Sequence, residues 1–141
     1  MSEGAKAPPA NYLVDTGVFI SWYRGEKAAR DFFRRPPGRL YYSKQTRKEL
    51  LRPPISNMES RTVKRFLQRF RMVNLDDTIA RAFSDLLAKY PYLRDHLPDA
   101  LIAATAWAKK MILVTTNPRH FKPIKEIRVT IFPDEFAKTE V

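Results

Sequence analysis

The chain has no cysteine, so neither a disulfide framework nor a thiolate metal site is open to it. It has two histidines, His96 and His120, too few for an ordinary histidine-based zinc site. Its four glycines do not cluster, which removes a glycine-rich phosphate loop. No apolar run approaches the ~20 residues that span a bilayer. The N-terminus lacks the charged-then-apolar layout of a signal peptide, and a cytoplasmic protein is the simplest reading. Acidic residues are also in deficit, with 15 Asp and Glu against 26 Lys and Arg.

The 141 residues, 44% of them hydrophobic, suffice for one domain with a proper core. The net charge of +11 is unevenly placed: residues 24–71 hold 15 Lys or Arg and four acids, and the rest of the chain is balanced. A basic segment on a neutral body favours a polyanionic partner.

Residues 1–10 contain Gly4, Pro8 and Pro9 without apolar periodicity and read as a flexible tail. That leaves 11–141 as a single domain. Residues 11–15 are a short apolar run ending at Asp15, the pattern of a buried strand. Val18, Phe19 and Trp22 recur at helical spacing. Ala28, Ala29, Phe32 and Phe33 line a second helix, which Pro36-Pro37-Gly38 stops. Leu40 to Tyr42 is a second strand, and Ser43 suits the N-cap of a helix to Leu51. An amphipathic helix over 57–70 turns Val63, Phe66, Leu67 and Phe70 inward, and a strand follows at 72–75. Asp76 or Asp77 caps a further helix. The helix from Pro98-Asp99 to about Lys110 is apolar almost all round, which places it in the interior. Residues 111–115 are the clearest strand, and 127–131 form a last strand at an edge.

Strands alternating with helices imply a mainly parallel sheet with helices on both faces. The functional crevice of such a sheet lies beyond the C-terminal ends of its strands. Trp22, Tyr23, Phe32, Phe33, Phe66 and Phe70 read as core. Tyr41 and Tyr42 offer base stacking, with one of the pair facing the core. His96 falls in a polar loop without an evident partner.

Four polar residues stand just outside apolar segments. Asp15 follows Tyr12-Leu13-Val14, and Asp99 opens Ala100-Leu101-Ile102-Ala103-Ala104. Asn117 follows residues 111–116, and Glu49 lies on the basic stretch after Leu40-Tyr41-Tyr42. Each has an ordinary explanation: Asp15 as a helix cap, Asp99 at a helix N-terminus, Glu49 as a solvated charge, Asn117 as a turn residue. Jointly they would gather three carboxylates and an amide at one sheet edge, an arrangement that repels itself without a cation. Oxygen donors alone select Mg²⁺ or Mn²⁺ over zinc or copper. An acidic metal pocket beside a basic segment suggests a nuclease. Arg34, Arg35, Arg47 and Arg52 are candidate phosphate contacts. A nucleic-acid or protein-binding module with a vestigial pocket is the competing reading. A haloacid-dehalogenase-like phosphatase would want a second Asp where Gly17 stands.

Five segments, in this order and spacing, resemble the PIN-domain family, with the VapC-type toxins of bacterial toxin–antitoxin pairs as the nearest branch. They are Leu13-Val14-Asp15-Thr16-Gly17-Val18-Phe19-Ile20, Glu49 on its helix, Leu97-Pro98-Asp99-Ala100-Leu101-Ile102-Ala103-Ala104-Thr105-Ala106, Leu113-Val114-Thr115-Thr116-Asn117, and His120-Phe121. The resemblance spans about residues 11–132. It implies a three-layer α/β/α sandwich, an acidic Mg²⁺ or Mn²⁺ pocket, and endoribonuclease activity competent on single strands. Asp15, Glu49 and Asp99 match the family's three acidic positions. Asn117 matches a fourth that is Asp in many members, and its amide adds no charge for a second metal. Thr16 and Thr115 match hydroxyl positions that hold the pocket or bound water. His120 stands where relatives often carry Asp and reads as structural rather than as a general base. The resemblance further implies an RNA substrate, a homodimer, and a small cognate antitoxin seated in the active-site groove.

Overall fold

The computed structural model describes residues 9–137. Residues 1–8 of the expected tail, and the last four residues of the expected domain, lie outside the described residues. In chain order the elements are β1 (Asn11–Val14), α1 (Thr16–Tyr23), α2 (Lys27–Arg34), β2 (Arg39–Ser43), α3 (Lys44–Leu50), α4 (Asn57–Leu67), β3 (Arg71–Val73) and α5 (Asp77–Lys89). A 3-10 turn (Pro91–Asp95) leads into α6 (Leu97–Lys109) and β4 (Ile112–Thr115). A second 3-10 turn (Pro118–His120), β5 (Val129–Ile131) and a short α7 (Asp134–Ala137) complete the fold. Periodicity gave no sign of the 3-10 turns or α7, each too short to show a repeat.

The five strands form one sheet in the order β3-β2-β1-β4-β5, and every pairing is parallel. From β1 the chain first builds outward through β2 and β3, then crosses to the other side of β1 for β4. The order therefore reverses between β1 and β4, and in such sheets a crevice opens beyond the strand ends at that point.

Paired residues alternate between the two faces. Leu13 and Leu113 sit in one core with Ile79, Leu86, Ile102 and Phe121. Val14 and Val114 sit in the other with Val18, Phe19, Phe32, Phe33 and Phe66. With α5 and α6 on one face and α1, α2 and α4 on the other, the expected α/β/α sandwich is the observed one. The second core is rich in aromatics. Trp22 stacks flat on Phe66 with ring centroids 3.6 Å apart, and the Arg30 guanidinium lies 4.6 Å above the indole. Aromatic contacts of this kind add to the energy of simple burial.

Three expectations need correction. Tyr42 is buried on the second core and Tyr41 packs against the first, because both faces of this sheet are covered. Neither forms an open stacking platform. Tyr23 is 44% exposed, since it ends α1 beyond the aromatic cluster. The third strand stops at Val73 and Leu75 is 51% exposed, because β3 is an edge strand with β2 as its sole partner.

As expected, α6 is buried, from Ala100 through Ala106 apart from Leu101. It ends at Lys110, which adopts a left-handed conformation with φ 57° without being glycine. Among the described residues no helix is long and apolar enough to cross a membrane.

Candidate active site

Asp15 leaves β1 and caps α1 at the β1/β4 crevice. Its extended backbone turns the carboxylate back toward the helix start. Oδ1 accepts the Thr16 N–H at 2.8 Å and Oδ2 accepts the Thr115 hydroxyl at 2.7 Å. Thr115 in turn accepts the Asn117 N–H at 3.1 Å. The backbone N–H of Asp15 donates to the Val114 carbonyl at 2.9 Å. Asp15 is thus both a cap and a fixed carboxylate, and the two readings were not exclusive. Gly17 allows this closeness: a Cβ there would come within 2.2 Å of Thr116 Oγ1.

Glu49 reaches the same region from α3. Ser43 caps that helix by accepting the Thr46 N–H at 3.0 Å. The hydroxyls of Ser43, Thr46 and Thr16 then run in series, at 3.3 and 3.0 Å, to Glu49 Oε1. Each hydroxyl has one proton to give and a carboxylate can only accept. The order is therefore fixed: Ser43 donates to Thr46, Thr46 to Thr16, and Thr16 to Glu49. Gln45 Nε2 donates to the other carboxylate oxygen at 3.2 Å.

Asp99 lies in the first turn of α6, where a carboxylate suits the helix dipole. Its Oδ2 is 2.7 Å from His120 Nδ1. The His120 carbonyl accepts the Tyr92 hydroxyl at 2.6 Å, which pins the turn. The ring of His96 stacks on that of His120 with centroids 3.8 Å apart. His96 therefore has a partner, contrary to its reading as an isolated loop residue.

Comparison with known proteins identifies the family. The PIN domain family model matches residues 12–127. The chain belongs to the PIN-domain family. It is 36% identical over 120 residues to Ribonuclease VapC10 of Mycobacterium tuberculosis, covering 82% of this chain and 90% of that protein. A toxin–antitoxin complex from Klebsiella pneumoniae is similar in structure, with 26% identity, a TM-score of 0.71, and coverage of 84% of this chain and 95% of that one. The DNA-bound VapBC of Salmonella typhimurium shares the fold at 21% identity and a TM-score of 0.75, covering 86% of this chain and 98% of that one.

In this PIN domain Asp15 feels the charge of the other two acids. The Asp15 carboxyl is pushed up to about 6, first by burial, with Asp99 and Glu49 adding like-charge repulsion against the two hydrogen bonds that lower it. Among the described residues, none of the three carboxylates pairs with Lys or Arg. Asn117 is exposed at the end of β4, engaged through its backbone.

The candidate arginines divide. Arg52 lines a groove beside Glu49, and Arg47 stands on α3 two residues before Glu49. Arg34 and Arg35 close α2, four residues ahead of the β2 start, where Arg39 pairs with Asn11. That is the opposite end of the sheet, so the fold does not bring them to the acids. Arg34 pairs with Asp31 at 3.6 Å instead.

Sequence reasoning passed over Gln45 and Thr46 and gave His96 no role. Each lies three or four residues from a recognised one (Glu49, Ser43 and Asp99 respectively), and that helical spacing was the available signal.

Proposed function

We propose that this protein is a divalent-metal-dependent endoribonuclease, the toxin of a pair that a small antitoxin silences. The observation that carries this reading is the burden on Asp15. A largely buried carboxylate is held near two others, and among the described residues no Lys or Arg pairs with any of the three. Such a set is costly alone and suited to a hard cation.

The donors fit that cation. Each Asp15 oxygen accepts one hydrogen bond, leaving lone pairs free, and the contributing groups are oxygen donors throughout. Asp15 and Asp99 would hold Mg²⁺ or Mn²⁺, with Glu49 and Asn117 joining directly or through water. When bound, the ion supplies Lewis-acid polarisation of a phosphoryl oxygen and a more acidic water. The chain's own residues do the positioning. Thr16 and Thr115 lock the carboxylates in place, and His120 orients Asp99. Arg47, Arg52 and the basic run of α3 and α4 attract the RNA backbone. The groove beside Glu49, lined by Ile20, Trp22, Tyr23, Ile55 and Val63, is the seat for the antitoxin. The Klebsiella pneumoniae relative is itself a toxin–antitoxin complex.

Cleavage of total RNA with and without Mg²⁺ or Mn²⁺ tests this reading. Asp99→Asn should fold normally and lose about a hundredfold or more of the metal-dependent activity, at least the loss seen on removing support for a ligand. Undiminished cleavage by highly purified Asp99→Asn protein would refute the assignment.

A further inference from the structure

The two histidines, 24 positions apart, were too few to suggest a zinc site. The fold brings them together and adds a third donor. One donor atom each from His96, Asp99 and His120 lie within 4.8 Å of one another, and all three residues are half-buried. We infer that these residues form a site for a borderline transition ion such as Zn²⁺, distinct in ligand type from the all-oxygen pocket and sharing Asp99 with it.

Several features favour such an ion. Two imidazoles and one carboxylate are the donor set of open zinc sites, in which a fourth position is left to water. Imidazole nitrogen disfavours Mg²⁺, and affinity of a mixed nitrogen–oxygen set rises toward copper and zinc. The three side chains are neighbours before any ion arrives. His120 is held to Asp99 at 2.7 Å, its carbonyl is tied to Tyr92, and His96 lies flat against it with the rings inclined by 25°. Tetrahedral coordination wants donors about 3.4 Å apart at metal–ligand distances of ~2.1 Å. An ion would replace the His120–Asp99 contact and draw the stacked rings apart so that their nitrogens converge, and His120 has two nitrogens to offer. The elements are firm beneath. Asp99 precedes the fully buried Ala100, and His120 precedes the buried Phe121.

Sharing Asp99 gives the site a consequence. Asp99 contacts His120 at 2.7 Å and lies close enough to Asp15 for its charge to raise that carboxyl, so it neighbours both groups. An ion bound between the histidines would engage the Asp99 carboxylate and weaken its hold on a hard cation beside Asp15. Occupancy by Zn²⁺ would therefore inhibit RNA cleavage. This second step rests on the proposed nuclease function, whereas the binding step does not.

The test uses the untagged full-length chain. Calorimetry with Zn²⁺ alone, and visible spectra with Co²⁺ alone, read binding without reference to activity. His96→Phe keeps a ring against His120 and removes the donor, and His96→Ala serves as a second variant. Circular dichroism verifies that each is folded. Zn²⁺ affinity should fall by about a hundredfold or more in both, beyond the loss typical of a residue that only supports a ligand. Asp15→Asn should keep Zn²⁺ binding and lose Mn²⁺ binding. Zn²⁺ should inhibit Mg²⁺-supported cleavage by the wild-type protein, and His96→Phe should resist it when each rate is taken relative to that protein's own Zn²⁺-free rate. Equal Zn²⁺ affinity in the wild type and both His96 variants overturns the site. Equal inhibition of wild type and His96→Phe overturns the sharing of Asp99. Absence of any Mg²⁺-supported cleavage by the wild type refutes the nuclease reading, while the binding arms still decide the site.

Discussion

Replacing Asp15 by asparagine should make this protein more stable at neutral pH while abolishing cleavage. The Asp15 carboxyl titrates at about 6 where the ordinary value is 3.8. The native state therefore binds this proton more tightly than the unfolded chain does. Stability from this group is fully present below pH ~4, falls as pH rises through ~6, and is constant above that. At ~1.4 kcal/mol per pH unit the ionised carboxylate costs the fold about 3 kcal/mol at pH 7. Asparagine removes that cost. It keeps the bond from the Thr16 N–H but reverses the one with Thr115, whose oxygen already accepts from Asn117. A displaced hydroxyl proton returns about 1 kcal/mol. The net gain is about 2 kcal/mol, or about 6 °C in Tm for a chain of this length. Thermal melts of both proteins in chelator, between pH 4.5 and 7.5, measure it. The gap should widen with pH and level off above 6. It should narrow again with Mg²⁺, which stabilises only the form that binds it. An Asp15→Asn protein no more stable than wild type at pH 7 in chelator would show that the acids do not strain the fold, and the argument for a cation would fall with it.

Other substitutions probe the supports. Thr115→Val removes the hydroxyl from Asp15 Oδ2; it should raise the apparent Mg²⁺ requirement by about tenfold, read as the metal concentration for half-maximal cleavage. Gly17→Ala drives a Cβ against Thr116 Oγ1. It should lower Tm and weaken metal binding together, since Asn117 follows directly, and calorimetry with Mn²⁺ reports the second effect. Lys110→Gly relieves the left-handed residue that ends α6. It should stabilise the fold by about 0.5–1 kcal/mol in urea denaturation without altering cleavage.

The architecture was legible because its signals are local and repeated. Leu13-Val14 and Leu113-Val114 are unbroken apolar runs, as fits strands covered on both faces. Ser43 and Asp76 are cap residues where the helices begin. The placement of Asp15, at the end of a strand and the start of a helix, was equally readable. What stayed hidden depends on register between distant segments. Arg34 and Arg35 shared the basic segment with Arg47 and Arg52, yet a helix running back along the sheet carries them to its far end. His96 and His120 meet only because α6 and the turn after β4 are neighbours in space. Tyr42 reads as an available aromatic until a full helical layer is known to cover it.

Thr16 touches both ends of the acidic group. Its N–H holds Asp15 and its hydroxyl holds Glu49, though the two acids come from segments more than thirty residues apart. Their separation is therefore gauged by one small side chain and the peptide beside it, and not by the summed tolerances of the β1, β2 and α3 packing. A shift of α3 that keeps this contact carries Glu49 along with the Asp15 turn. A threonine in that position is a spacer between carboxylates: serine would preserve its span, and valine, of the same shape, would let the two acids drift apart.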